Sequence, residues 1–155
     1  SGVISTNSAD KAEKWVRDVG TVDTGSITEE VKRSGKYALK IDTVNGEPHG
    51  YGNVCTTVKV KKGTIYKLEC YARIDKTQRE NDTDEYGYVR IYNAKTGQTI
   101  YGAAVWLGAL EGEWQKIVLT ANSGDTEELG IGISNGSAGC RMIGYYDDFS
   151  LTEVR

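Results

Sequence analysis

The stretch Tyr145-Tyr146-Asp147-Asp148-Phe149-Ser150-Leu151 predicts most about the fold of this chain. Read as a strand, its alternate residues fall on opposite faces. Tyr145, Phe149 and Leu151 would then share an apolar face, and Asp147 would share it with them. A carboxylate at a core-facing position costs free energy unless it is hydrogen-bonded, paired or bound to a metal. The stretch therefore predicts a closing strand that carries a polar anchor.

Segments upstream of this stretch alternate between apolar and polar residues in the same way. In the clearest of them, the predicted core-facing residues are Tyr66, Leu68, Cys70, Ala72 and Ile74. Further strands are predicted at 37–42, 54–60, 88–92, 99–107, 114–121 and 129–134. The polar stretch 75–85 is predicted to be a long exposed loop. At least eight short strands joined by turns predict one all-β domain over residues 1–155, a two-sheet antiparallel β-sandwich or jelly roll.

The composition agrees with such a fold and excludes several classes of partner. The 155 residues include 19 glycines, one proline and ten tyrosines, a usage that favours strands and turns. The formal net charge of -3 gives no basic face, so we expect no nucleic-acid partner. No apolar run approaches the roughly 18 residues that a membrane helix needs, so we expect no membrane partner.

The chain has three cysteines, Cys55, Cys70 and Cys140, and none lies in a metal-binding spacing. Buried free thiols are one interpretation, and a disulfide between Cys55 and Cys70 is another. A nucleophilic cysteine is a third, although His49 is the only histidine that could activate it.

Residues that could contact a ligand lie on the outward side of the predicted strand 88–92. With Val89 and Ile91 directed inward, Tyr88, Arg90 and Tyr92 share the other face. Aromatic rings pack against the apolar faces of sugar rings, and planar polar groups hold hydroxyls in fixed directions. A solvated sheet face with tyrosines that cover apolar surface is the alternative interpretation.

Four fragments occur in an order that resembles a known family. They are SGKYALKI (34–41), VKVKKGTIYKLECYARI (58–74), GEWQKIVLTA (112–121) and YYDDFSL (145–151). Together they resemble the β-jelly-roll carbohydrate-binding modules of families 4, 9 and 22, over roughly residues 34–154, with a galactose-binding-like fold. The resemblance implies a non-catalytic, monomeric domain that binds polysaccharide in a concave cleft. It also implies a covalently attached catalytic domain, a glycoside hydrolase, in a secreted or cell-surface protein.

The resemblance also implies roles for individual residues. Tyr51 and Tyr101 match stacking tyrosines of the cleft, Arg90 matches a cleft arginine, and Ser134 lies where the family presents a polar side chain to sugar. To these we add Trp106, which could belong to the cleft or to the core, and His49, a candidate contact at the loop rim. Trp114 matches a structural tryptophan and is expected in the core.

A structural calcium ion away from the cleft is a further feature that the resemblance implies. Asp147 and Asp148 would supply carboxylate oxygens, and the loop at Ser34 and Lys36 would add backbone carbonyl oxygens, which are the ligands that calcium prefers. The alternative is that backbone N–H groups or a lysine satisfy the Asp147 carboxylate without a metal.

Two other functions stay open at this point. An adhesion or protein-interaction sandwich would have the same fold, because fold alone does not specify function. A catalytic jelly roll, such as a glycosidase or lyase, would need two carboxylates across a cleft, and nothing in the sequence pairs them.

Overall fold

The computed structural model of the protein describes residues 3–7, 16–17, 25–44, 53–79, 87–108, 112–135 and 140–154. Strands account for most of them: β1 (Val3–Asn7), β2 (Val16–Arg17), β3 (Gly25–Thr28), β4 (Ala38–Asp42), β5 (Asn53–Lys59), β6 (Ile65–Arg79), β7 (Gly87–Asn93), β8 (Thr99–Leu107), β9 (Gln115–Asn122), β10 (Glu128–Ser134) and β11 (Cys140–Glu153). A helix long and apolar enough to span a membrane is not found in these ranges.

The strands form two antiparallel sheets that pack face to face. One is six-stranded, with the order β3-β4-β11-β6-β9 and with β1 paired to β11. The other is five-stranded, with the order β2-β5-β10-β7-β8. The prediction of an all-β, two-sheet antiparallel sandwich is confirmed.

The core lies between the two sheets and follows the alternation of the strands. On β6 the five residues predicted to face inward, Tyr66, Leu68, Cys70, Ala72 and Ile74, are all 0% exposed. Each fully buried large apolar side chain stabilises the fold by about 1.5–3 kcal/mol. Together with Met142, Tyr146, Phe149 and Leu151 of β11, these residues form much of the six-stranded sheet's share of the core.

The alternation predicted for the stretch 145–151 is wrong in its first half. Tyr146, not Tyr145, lies in the core, and Phe149 and Leu151 follow it there. The pairing of β11 with β6 shifts between Asp147 and Ser150, and Asp148 has a left-handed φ of 55°. This β-bulge inserts one residue and so reverses which residues face inward. Asp147 consequently lies on the outer side of β11, although it is only 1% exposed.

Two further predictions need correction. Cys55 lies on β5 and Cys70 on β6, in different sheets, and the two buried cysteines are not joined by a disulfide bond, so the predicted disulfide between them is wrong. The side chain of Cys140 lies outside the described residues. Strand β6 continues to Arg79, so the first part of the predicted loop 75–85 is strand.

Candidate functional site

The outer face of the five-stranded sheet carries the residues predicted to contact a ligand. Val89 and Ile91 are 0% exposed in the core, so their neighbours on β7 point outward. On one side of these outward residues of β7 lie their β10 partners, Gly130 and Gly132. On the other side lie their β8 partners, Ala104 and Trp106. We call this surface the Arg90 face; it comprises Tyr88, Arg90, Tyr92, Ala104, Trp106, Gly130 and Gly132.

Tyr92 supports this face and has little surface to offer to a ligand. Its ring lies directly over Gly130, where a Cβ atom would overlap it, so the absence of a side chain makes room for the ring. The guanidinium carbon of Arg90 lies 4.2 Å from the ring centroid, in cation–π contact. With these neighbours Tyr92 is only 7% exposed. The geometry therefore does not favour the predicted stacking role of Tyr92.

Arg90 is held in place by the turn between β7 and β8. Its Nη1 group donates to the carbonyl of Gly97 at 2.9 Å and to Oγ1 of Thr99 at 3.1 Å. Gly97 is fixed in turn, because its N–H donates to the carbonyl of Asn93 at 2.8 Å. Within the described ranges, no residue accepts a hydrogen bond from Nε or Nη2 of Arg90. The side chain is thus oriented and keeps part of its donor capacity.

Tyr88 and Trp106 form an aromatic pair beside Arg90. They are cross-strand partners, with ring centroids 4.8 Å apart and planes tilted by 48°. Trp106 is 40% exposed, so it belongs to the outer face, which decides between the two positions that the sequence left open. The pair offers an open aromatic surface of the kind that packs against sugar rings.

The other predicted contacts differ in their relation to this face. Tyr101 is fully exposed on β8, next to the left-handed Gly102 and within a shift of the β7–β8 register. Ser134 lies opposite Tyr88 on β10, but it is 1% exposed, so its side chain is not presented to solvent. His49 and Tyr51 lie outside the described residues.

The outer face of the six-stranded sheet carries a second cluster, which the sequence reading missed. Arg73 donates from Nε and Nη2 to the two carboxylate oxygens of Asp75, both at 2.6 Å. Its guanidinium carbon lies 5.9 Å from the ring centroids of Trp114 and Tyr145. The hydrogen bonds from Arg73 lower the pKa of Asp75 below its usual value. The sequence does contain a signal for this pair: Arg73 and Asp75 are two residues apart, and residues i and i+2 of a strand share a face.

Asp147 is bound by backbone N–H groups. The N–H groups of Arg33 and Ser34 donate to its Oδ2 at 2.9 Å and 3.2 Å, and that of Asp148 donates to Oδ1 at 2.8 Å. Burial raises the pKa of Asp147, and these three donors act in the opposite direction. The carboxylate therefore joins β11 to the loop that precedes β4.

Asp148 is bound by side chains of the same loop. Arg33 donates from Nη1 to Asp148 Oδ2 at 2.8 Å, and the Ser34 hydroxyl donates to Oδ1. The Arg33 guanidinium also lies 3.4 Å from the Tyr71 ring centroid. Lys36, also predicted at this site, has its ammonium group 3.8 Å from the Glu29 carboxylate.

The described part of this site does not fit a calcium ion. Calcium requires six to eight oxygen ligands, yet the loop presents N–H donors to Asp147 and a guanidinium to Asp148. Within the described ranges there is also no group of three or more Asp, Glu, His or Cys residues that could hold a metal. The alternative interpretation, a carboxylate satisfied by backbone N–H groups, accounts for this geometry.

Comparison with known proteins relates this architecture to a set of solved structures. The sequence matches no family model and no curated protein. The chain is similar in structure to the CBM22-1 xylan-binding domain of Paenibacillus barcinonensis Xyn10C, with a TM-score of 0.69, 16% identity, and 99% and 96% of the two chains covered. It is also similar to TmCBM61 in complex with β-1,4-galactotriose, with a TM-score of 0.65, 16% identity, and 99% and 100% covered.

A third similar structure contains a catalytic module as well. It is the CBM22-1–GH10 part of Clostridium thermocellum Xyn10B complexed with xylohexaose, with a TM-score of 0.65 and 11% identity over 99% of this chain and 28% of that one. These identities establish the fold alone. The chain has the β-sandwich fold of carbohydrate-binding modules.

Proposed function

We propose that this domain is a non-catalytic carbohydrate-binding module, which binds a polysaccharide chain on the Arg90 face and directs an attached secreted glycoside hydrolase to it. The observation that carries the proposal is the open Tyr88–Trp106 pair beside an arginine of fixed orientation. The two features supply the contacts that sugar recognition needs, an apolar platform and directed hydrogen-bond donors.

The shape of the face supports an extended ligand. The cross-strand partners of Arg90 are Gly132 on β10 and Ala104 on β8, and neither has a bulky side chain. A pyranose ring stacked on Trp106 would lie on the same face as Arg90, whose remaining donors are available to sugar hydroxyl groups. A chain of sugars can therefore lie across β7 and β8, while the Tyr92 and Arg90 side chains cover the backbone of β10 at Gly130 and Gly132.

The similar structures support the same class of function. Two of them are described as binding xylan or carrying β-1,4-galactotriose, and the third joins such a module to a GH10 module. For this chain, the function is inferred from the residues of the Arg90 face. The similar structures show that the same fold binds carbohydrate in other proteins. In the same proposal, the domain acts as a monomer in a secreted or cell-surface protein.

The test is a panel of soluble polysaccharides in affinity electrophoresis, with a reducing-sugar assay on the same mixtures. Retarded migration without release of reducing sugar supports the proposal. Release of reducing sugar would assign the domain to the catalytic jelly rolls instead. Unchanged migration with every polysaccharide would leave the adhesion or protein-interaction sandwich as the better account.

A further inference from the structure

The two outward arginines Arg73 and Arg90 use the guanidinium group differently. Arg73 donates two hydrogen bonds to the Asp75 carboxylate, from Nε and from Nη2, both at 2.6 Å. These two nitrogens form the side-on edge of the guanidinium group. Arg90 bonds through Nη1 alone, to Gly97 and Thr99. The side-on edge that holds a carboxylate in Arg73 is therefore unused in Arg90 by any residue that the structure describes.

The surroundings of Arg90 explain why its edge is unused. Its neighbours on β7 are Tyr88 and Tyr92, and its partners across the sheet are Gly132 and Ala104, all of them uncharged. Arg73, by contrast, has an aspartate two residues further along its own strand. On the described part of the Arg90 face, the guanidinium is a cation without a carboxylate.

We propose that the free edge of Arg90 binds a carboxylate of the ligand, so that the polysaccharide recognised by this face contains uronic acid. The inference rests on the proposed function and names its ligand class. A carboxylate accepts two parallel hydrogen bonds from the side-on edge of an arginine and carries the complementary charge. A neutral sugar hydroxyl lacks that charge and a matching pair of acceptors.

The position of Arg90 is fixed in advance of binding. Two hydrogen bonds hold Nη1, the Tyr92 ring lies 4.2 Å from the guanidinium carbon, and the ring itself lies over Gly130. Binding a carboxylate thus requires little further ordering of this side chain, which lowers the entropic cost of association. The neighbouring Tyr88–Trp106 pair is placed to take the pyranose ring that bears the carboxylate or the ring next to it.

The experiment compares polysaccharides that differ only in the carboxylate. Glucuronoxylan, polygalacturonate and alginate are titrated by calorimetry beside their carboxyl-reduced derivatives, with dextran sulfate as a general polyanion. We expect at least one acidic polysaccharide to bind about tenfold or more tightly than its reduced form. Binding in which no acidic polysaccharide exceeds the affinity of its reduced form would overturn this inference and leave the proposed function standing. Binding of none, neutral forms included, would overturn both.

Variants assign the carboxylate to Arg90. Arg90→Lys keeps the positive charge but loses the two parallel N–H donors of the guanidinium, so it is expected to remove most of the preference for the acidic form. Circular dichroism is expected to show an intact fold for this variant. The matched control is Arg73→Lys, on the opposite sheet, which should keep the preference. An acid preference that survives Arg90→Lys would overturn the assignment, as would dextran sulfate binding that equals that of the acidic polysaccharide.

Discussion

The two outer faces of this sandwich both place arginines next to aromatic rings, but they differ in whether a carboxylate of the chain pairs with the arginine. On the six-stranded sheet, Arg33 lies over Tyr71 and Arg73 lies near Trp114 and Tyr145. Both arginines are paired with carboxylates of the chain itself, Asp148 and Asp75. On the five-stranded sheet, Arg90 lies over Tyr92, and among the residues that the structure describes it donates only to a carbonyl and a hydroxyl.

The difference shows that an arginine on an aromatic ring is not in itself a binding site. Where a carboxylate of the chain completes the pair, the interaction joins two segments of the protein. Where none does, the donors stay available to a ligand. Five changes, taken from the largest expected effect to the smallest, separate these two roles.

The largest effect is expected for Asp147→Ala, on the six-stranded side. The substitution leaves three backbone N–H groups without their acceptor, and we expect it to lower the free energy of unfolding by about 3 kcal/mol. Urea denaturation measures the change, with Asp125→Ala, an exposed turn residue, as the control. A loss no larger than that of the control would show that Asp147 does not anchor the loop.

Gly130→Ala tests whether the Tyr92 ring supports the Arg90 face. The new Cβ would overlap the ring, so we expect a loss of about 1–3 kcal/mol in stability together with a loss of polysaccharide binding. Gly132→Ala is the matched control, because its Cβ would come no closer than 3.5 Å to the neighbouring side chains. Equal behaviour of the two variants in denaturation and binding would contradict the described packing.

Trp106→Ala and Trp114→Ala compare the two faces, because each variant removes one tryptophan from a different sheet. The first of these, Trp106→Ala, acts on the Arg90 face. We expect a loss of about 1–2 kcal/mol in binding, roughly five- to thirtyfold in affinity, since an aromatic platform is removed. Trp114→Ala removes the corresponding ring from the six-stranded side and is expected to leave affinity unchanged. Calorimetry on a polysaccharide from the panel measures both. Weaker binding by the Trp114 variant alone would place the ligand on the other sheet.

Asp75→Asn tests the internal pair through its pH dependence. The folded-state pKa of Asp75 is below its ordinary value of 3.8, so the pair stabilises the folded protein above that value and this contribution is lost as the pH falls through the lower, folded-state pKa. We expect the variant to be about 1 kcal/mol less stable at pH 7, and the deficit to shrink in acid. Thermal melts from pH 7 to pH 2 measure it; a deficit that does not change with pH would rule out this linkage.

The smallest effect is expected for removal of metal. Because Arg33 and backbone N–H groups already bind Asp147 and Asp148, we expect a chelator to leave the melting temperature unchanged. Differential scanning fluorimetry on metal-stripped protein, with and without added calcium, provides the measurement. A rise in melting temperature on adding calcium would contradict this expectation and support the structural calcium ion that the resemblance implies.

The sequence predicted those parts of the fold in which alternation is unbroken. On β6, five inward residues in strict alternation gave the correct core face, because the period of a strand is two wherever its pairing is regular. On β11 the same reasoning placed Tyr145 and Asp147 on the wrong face. The left-handed conformation of Asp148 reverses the alternation there; aspartate tolerates this conformation, but its presence in a strand does not by itself predict a bulge.

The sequence predicted which residues belong to the candidate site better than it predicted how their side chains pack. Arg90 and Trp106 lie on one outer face, as the spacing on β7 and the resemblance suggested for Arg90. That Tyr92 is covered could not be predicted, because it depends on which glycine of β10 lies opposite, and register between distant strands is not encoded locally. The contrast between Arg73 and Arg90, however, can be read from whether an aspartate follows two residues later.

Strand β11 lies in the interior of its sheet, between β4 and β6, although it is the last of the strands along the chain. During synthesis on the ribosome, β4 and β6 are therefore made long before the strand that joins them. Until residues 140–153 emerge, each presents a row of unpaired N–H and C=O groups, the kind of edge that other chains can pair with. The domain thus completes its fold only after β11 has emerged, and the nascent form before that point is the stage most exposed to aggregation.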